Sequence, residues 1–247
     1  IGTFHAAGDS FAYKHLGAGT RWLSRRLDVR CAVSEDARKL ASSAVAGDFL
    51  LLFNGVEIDV LRDAEPWPTE GPTIFFCGRH EPRKGLAVLL EAMAGLPGDV
   101  RLWVGSDGPE TAALRARWAG DPRVEWLGRL SDEEKASRLR GADLFCAPSL
   151  RGESFGVVLI EAMAAETAIV ATELPGYANV ARAGEDALLV RPGDPKALAD
   201  ALNQVLEDGE LAASLVRSGR SRAEDFAMTR LADRYVELYT ALVESRP

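Results

Sequence analysis

Cysteine, histidine and lysine are all scarce in this sequence of 247 residues, and each shortage narrows what the chain can be. The three cysteines, Cys31, Cys77 and Cys146, are odd in number and far apart. Two of them fall in predicted strands, so buried free thiols in a reducing cytoplasm fit better than disulfides or metal ligands. With only His5, His15 and His80, and no H-E-x-x-H, a zinc hydrolase has little support. No G-x-x-x-x-G-K-[ST] occurs and no G-x-G-x-x-G follows a strand, which sets aside P-loop NTPases and the dinucleotide fingerprint. No apolar run approaches the ~18 residues of a spanning helix, and no signal-peptide pattern is visible. There are five lysines, so a lysine inside a motif carries extra weight. A formal net charge of −8 argues against nucleic acid as the main partner.

What remains is an ordinary globular composition, 47% hydrophobic and 27% charged, arranged as alternating strands and helices. Short apolar runs at Ile74–Cys77, Val100–Gly105, Val124–Leu127, Leu144–Ala147, Ala168–Ala171 and Leu188–Val190 read as strands. Helical stretches lie between them at Leu86–Ala94, Thr111–Trp118, Asp132–Arg140 and Val157–Ala165, with a short turn near Tyr177–Ala181. Ser131 and Glu134 have the capping-box spacing, and Ser34 is placed to cap a helix with Ala37, Leu40 and Ala44 on one face. Earlier strands are expected at Ile1–Phe4, Arg30–Val33 and Phe49–Phe53, with a helix over Tyr13–Leu27. The tail from Pro195 to Val243 reads as helical, with breaks near Gly209 and Gly219. This alternation predicts an α/β fold with a parallel sheet covered on both faces. Residues 73–227 form one complete, doubly wound, Rossmann-like domain. Residues 1–54 read as the C-terminal part of another α/β domain, 55–72 as a linker without clear period, and 228–247 as a terminal helix packing back toward the first part. The chain opens at Ile1 inside a strand, so an N-terminal portion is expected to be missing.

The stretch Gly152-Glu153-Ser154-Phe155-Gly156-Val157 stands where a strand ends and a helix begins, the place where open α/β sheets bind ligands. Gly152-x-Ser154-x-Gly156 spells a hydrolase nucleophile elbow, but that mechanism needs a later histidine and none follows Ser154. Ser154 reads instead as an N-cap. The amides of Phe155, Gly156 and Val157 would open the helix unpaired, a natural site for a phosphate. Glu153 and Glu161 flank it, about 12 Å apart if all the stretch is helical. Taken alone, such a pair is more often a turn and a solvated helix residue. A second cluster, Gly78-Arg79-His80-Glu81-Pro82-Arg83-Lys84-Gly85, follows a strand directly and supplies cations suited to a leaving diphosphate.

Three motifs together, Gly78-Arg79-x4-Lys84-Gly85, Gly105-Ser106-Asp107-Gly108-Pro109 and Gly152 through Ala162, resemble the retaining GT-B glycosyltransferases of the group 1 family. Within it, Glu81–Gly85, Cys146–Pro148, Gly2–His5 and Asn54–Val56 are similar to actinobacterial phosphatidylinositol mannosyltransferases. The resemblance implies a GT-B architecture and a donor nucleotide sugar, GDP-mannose, as substrate with no separate cofactor or metal. It implies that Arg79 and Lys84 hold the diphosphate with amides around Phe155, Gly156, Val157 and Val158. Glu153 would then meet the sugar, Glu161 the ribose, and Leu130 and Lys135 the base. His5 would reach the reacting centre from the other domain, although a lone histidine after a strand is more often structural. His15 and His80 are expected at the surface. Retention is expected by same-face attack assisted by the leaving phosphate. The basic segment Lys14–Arg30 could meet anionic lipid headgroups, the plainer reading being a solvated helix face. A cytoplasmic protein is implied, with peripheral attachment to the inner membrane face as an extension. The alternatives are the same fold with a different nucleotide sugar and a small-molecule or polysaccharide acceptor, or a non-catalytic donor-binding module. Two departures from the family pattern are visible: Glu166 where a glycine usually closes the helix, and a loop at Arg79–Lys84 one residue shorter. A chain lacking the rest of the N-terminal domain is expected to bind donor and to transfer poorly.

Overall fold

The computed structural model describes residues 1–5, Trp22 and residues 24–245. The expected helix over Tyr13–Leu27, and with it His15 and most of the basic segment, lies largely outside the described residues.

Two parallel sheets organise the chain. The smaller has three strands, β1 (Gly2–Phe4), β2 (Arg30–Ala32) and β3 (Leu50–Leu51), in that order. Helix α1 (Glu35–Ala44) follows β2 and starts where Ser34 accepts a hydrogen bond from the Ala37 amide, 3.1 Å away. Its Ala37, Ala41 and Ala44 are buried, the alanine face turned inward.

The larger sheet holds β4 (Thr73–Cys77), β5 (Arg101–Gly105), β6 (Val124–Gly128), β7 (Leu144–Ala147), β8 (Ala168–Thr172) and β9 (Leu188–Val190). Its spatial order is β6-β5-β4-β7-β8-β9, all parallel, which is the doubly wound order with its reversal between β4 and β7. Alternate residues of each strand face opposite layers, as the pleat requires. Phe75, Phe145, Ile169 and Ala171 enter one buried cluster. Ile74, Phe76, Leu144, Cys146, Ala168 and Val170 enter the other. Between the strands lie α3 (Leu86–Ala92), α4 (Thr111–Arg117), α5 (Asp132–Gly141), α6 (Val157–Ala164) and α7 (Pro175–Ala178), after a short α2 (Ile58–Arg62). Then come α8 (Pro195–Glu207), α9 (Gly209–Ala223) and α10 (Met228–Glu244). Ser131 caps α5 by accepting from the Glu134 amide at 3.1 Å, as the capping-box spacing predicts.

Several expectations change. The 55–72 segment carries α2, whose Ile58 and Leu61 are buried in the main cluster. The period was invisible because only five residues are helical, too few for a hydrophobic repeat. Gly219 does not break the tail. It lies inside α9, and a Cβ there would stand 3.1 Å from Met163 Cγ, so the glycine lets α9 approach α6. The interruption falls instead at Glu224–Phe226. Helix α10 reaches the small sheet through Tyr235, whose hydroxyl lies 2.8 Å from Thr3 Oγ1.

Candidate active site

Both loops that carry the motifs leave the strands on either side of the sheet reversal, β4 and β7. Their contact is close because Gly85 sits at φ 70°, where a Cβ would lie 1.9 Å from the Pro148 carbonyl oxygen. That approach brings Lys84 against Glu153. Lys84 Nζ donates to Glu153 Oε1 at 2.6 Å, and Ser149 Oγ donates to the same oxygen at 2.8 Å. Behind them the Tyr177 hydroxyl donates to Ser149 Oγ at 3.0 Å, and Thr172 Oγ1 to the Ser149 carbonyl at 2.5 Å. Burial, reinforced by the nearby Glu153 charge, pushes the Tyr177 pKa up, so its hydroxyl stays a donor. Arg83 adds a bond to the Gly152 carbonyl at 3.2 Å and a looser approach to Glu153 Oε1 at 3.6 Å. Each contact that reaches the Glu153 carboxylate uses Oε1. Among the described residues Glu153 Oε2 has no hydrogen-bond partner. Ser149, Thr172 and Tyr177 do not stand out as site residues in the sequence, since no local pattern links them to Glu153.

Helix α6 begins at Val157 behind Gly156, which has φ 97° and is itself the N-cap residue. Ser154 therefore does not cap the helix. The chain enters through a left-handed glycine two residues later, and no side chain bonds to the first turn. The all-helical spacing of Glu153 and Glu161 fails for the same reason, since Glu153 lies in the loop. The amides of Phe155, Gly156, Val157 and Val158 find no protein acceptor among the described residues, which leaves this helix end suited to an anion. Phe155 can offer only its backbone. Its ring is buried, stacked on Phe53 at 5.3 Å and edge-on to Phe226 at 5.6 Å.

Glu161, one turn into α6, pairs with Lys135 of α5 at 2.7 Å. Burial pulls the Lys135 pKa down, but Glu161 outweighs it and leaves the ammonium above the ordinary lysine value. Cys77 beside this pair is pushed up to about 11, chiefly by burial. Lys135 and Leu130 line an open cleft of about 1200 Å³ together with Arg79 and the Ser106–Pro109 loop. Arg79 is exposed at the end of β4, and its guanidinium has no hydrogen-bond or ion-pair partner among the described residues, while its carbonyl accepts from the Glu81 amide at 2.9 Å. Val157 lines a smaller cavity of about 320 Å³ with Glu161, Lys135 and residues of α2. On the far side of Glu153 a space of about 580 Å³ opens between the domains, with Asp36, Lys39 and Ser43 on one wall and Arg151, Gly152 and Glu153 on the other.

The structure thus gathers Arg79, Leu130, Lys135 and Glu161 on one side and Lys84 and Glu153 on the other, with the Gly156 turn belonging to the same loop. It does not join His5 to them. His5 is exposed at the end of β1, with no hydrogen bond or ion pair to Glu153, Lys84 or Arg79 among the described residues. His80 is not a surface residue. It is 1% exposed and bonded on both ring nitrogens, because the loop after β5 folds over it.

The architecture is shared with solved glycosyltransferases. HepE of Anabaena, in complex with UDP and glucose, superimposes with a TM-score of 0.81 at 21% identity, covering 96% of this chain and 71% of that one. Sucrose-phosphate synthase from Thermosynechococcus elongatus gives 0.81 at 24% identity, covering 98% and 67%. The fold is that of a GT-B glycosyltransferase. A family model described as glycosyl transferases group 1 matches residues 57–222, and the chain belongs to that family. It is 38% identical over 224 residues to the phosphatidyl-myo-inositol mannosyltransferase of Mycobacterium leprae (strain TN), covering 87% of this chain and 60% of that protein. To the protein of the same name from Mycobacterium tuberculosis (strain ATCC 25618 / H37Rv) it is 36% identical over 260 residues, covering 99% and 68%. The chain therefore spans about 60% of the length of the M. leprae relative.

Proposed function

We propose that this chain carries the donor side of a retaining mannosyltransferase that moves mannose from GDP-mannose to phosphatidylinositol or a related hydroxyl acceptor. The observation that carries the reading is the half-committed Glu153. One carboxylate oxygen is fixed by Lys84 and Ser149, and the other has no partner beside a helix start whose amides are unpaired. A carboxylate held this way accepts from sugar hydroxyls without reorganising, while the amides and Arg79 take the diphosphate. Lys84, bonded to Glu153, balances charge as the diphosphate leaves. Glu161 and Lys135 offer an acceptor and a donor to the ribose and base, with Leu130 as an apolar wall.

In the proposed reaction the bond from the sugar's anomeric carbon to the diphosphate oxygen breaks. The acceptor oxygen bonds to that carbon on the same face, and the acceptor's proton passes to the leaving diphosphate. His5 approaches the sugar from the small-sheet side. The mannosyl and phosphatidylinositol assignments are supported by the names of the relatives alone. No helix among the described residues is long and apolar enough to cross a membrane. Work at the cytoplasmic membrane surface would then rest on peripheral contact.

The test is mannosyl transfer from labelled GDP-mannose to phosphatidylinositol vesicles, with a thermal-shift comparison of GDP, UDP and ADP. Stabilisation by GDP above the other two supports the reading. Equal or stronger stabilisation by UDP or ADP overturns the donor assignment. Donor binding without transfer in a protein extended to the full length of the relatives favours the binding-module alternative.

A further inference from the structure

We propose that His80 is a positioning residue for the donor cleft: its ring and backbone clamp the Ser106–Pro109 loop to the segment that carries Arg79. The inference rests on the donor reading above. Five contacts carry it. His80 N donates to the Asp107 carbonyl at 3.1 Å, and the Glu110 amide donates to the His80 carbonyl at 3.0 Å. His80 Nε2 lies 3.2 Å from the Gly105 carbonyl oxygen, and Nδ1 lies 2.8 Å from Thr111 Oγ1. The Gly108 amide donates to the same Thr111 oxygen at 2.8 Å.

The chemistry of these atoms fixes the directions. A carbonyl only accepts, so Nε2 carries the proton and the neutral ring leaves Nδ1 as an acceptor. Thr111 then donates to Nδ1 while accepting from Gly108, and a relay runs from Gly108 through Thr111 and His80 to Gly105. The ring is sealed by Trp126, edge-on at 5.9 Å, and by Phe76 at 6.1 Å. Burial, against the opposing pull of the Gly105 carbonyl and Asp107, holds the His80 pKa below its ordinary value, which favours this neutral form.

The clamped loop is a demanding one. Ser106 has φ 81°, in the left-handed region that few residues other than glycine adopt. At Gly108 a Cβ would lie 2.5 Å from the His80 carbonyl oxygen, so the loop lies directly on the histidine backbone. Ser106, Asp107, Gly108, Pro109 and Thr111 line the same cleft as Arg79. Because Arg79 is the residue before His80, the ring that orders the loop also sets where the Arg79 side chain leaves the backbone. One residue thereby ties the two walls of the cleft together.

The experiment is calorimetric titration of GDP into His80→Leu, His80→Asn, Thr111→Val and the His80→Leu/Thr111→Val double variant, with Arg79→Ala as control. Each is run well below its own melting temperature. Breaking the relay should weaken GDP about tenfold in His80→Leu and in Thr111→Val. The double variant should be no weaker than His80→Leu, since both remove one relay. His80→Asn, whose amide oxygen can still accept from Thr111, should recover part of the loss. A purely structural histidine would lower the melting temperature and leave the affinity of folded protein unchanged. GDP affinity within about twofold of wild type in folded His80→Leu, or losses that multiply in the double variant, would overturn the clamp. Should His80→Leu not fold, Thr111→Val, which deletes only a hydroxyl, decides the matter alone. If Arg79→Ala loses GDP while the His80 and Thr111 variants keep it, the clamp is wrong and the donor reading stands. If Arg79→Ala binds GDP as well as wild type does, the donor reading fails and the clamp with it.

Discussion

Glu153 and Glu161 bracket the start of α6, and they are held in different ways. Glu153 lies in a loop, yet four side chains from three segments, Lys84, Ser149, Tyr177 and Thr172, build a layered network behind it. Glu161 lies on the helix itself and has one partner, Lys135, at the edge of an open cleft. Loop residues lack a regular backbone to aim them, so a carboxylate needed at a fixed point must be aimed by its neighbours. A helix already supplies direction, and one exchangeable ion pair is enough. The Glu153 end is thus preorganised by a network, while the Glu161 end rests on a single ion pair.

That contrast can be broken or sharpened by substitution. The largest effect is expected from Glu153→Gln in a protein extended to the full length of the relatives, where it should cut turnover about a hundredfold or more while GDP affinity changes little. Kinetics and calorimetry on the same preparation check the split; full turnover would remove Glu153 from the chemistry. Tyr177→Phe keeps the buried ring and deletes only the bond to Ser149. It should lower turnover up to about tenfold and stability by about 1 kcal/mol, read by steady-state rates and urea melts. Glu161→Gln should weaken GDP only about fivefold, consistent with one replaceable contact. Its stability difference from wild type should depend on alkaline pH. Because the folded Lys135 pKa is raised, the ion pair's contribution is complete below the ordinary lysine value of 10.5 and is lost as pH climbs through the raised one. Thermal melts of the two proteins should therefore converge in strong alkali and stay apart at neutral pH. The smallest effect belongs to the other end of the same helix. Glu166 has φ 56° and pairs with Arg140 at 3.3 Å and Arg220 at 3.2 Å. Glu166→Gly relieves a strain on the order of 1 kcal/mol but loses two partly exposed ion pairs, so the melting midpoint should move little.

The sequence made the sheet legible because its strands are buried on both faces and stand out as apolar runs. Leu144–Ala147 and Leu188–Val190 match to the residue. Caps were legible where the capping side chain and its amide are three residues apart, as at Ser34 and Ser131. Ser154 has the right chemistry for the same job, but a left-handed Gly156 redirects the chain before the helix starts. The motifs named Glu153, Lys84 and Glu161 individually and the family resemblance added Lys135, whereas their pairing depends on which strands adjoin in space. His80 was unreadable for a similar reason. Its burial comes from the loop after β5, which no pattern around residue 80 announces. Phe155 likewise owes its burial to Phe53 and Phe226, one from each flanking segment.

The central claim is that the cleft beneath Arg79 receives the diphosphate of a guanine nucleotide sugar. Titration of GDP into wild type and Arg79→Ala, beside UDP and ADP, tests it most directly. The account predicts that GDP binds wild type more tightly than UDP or ADP and that Arg79→Ala weakens GDP by about tenfold or more. Undiminished GDP binding to Arg79→Ala would contradict it.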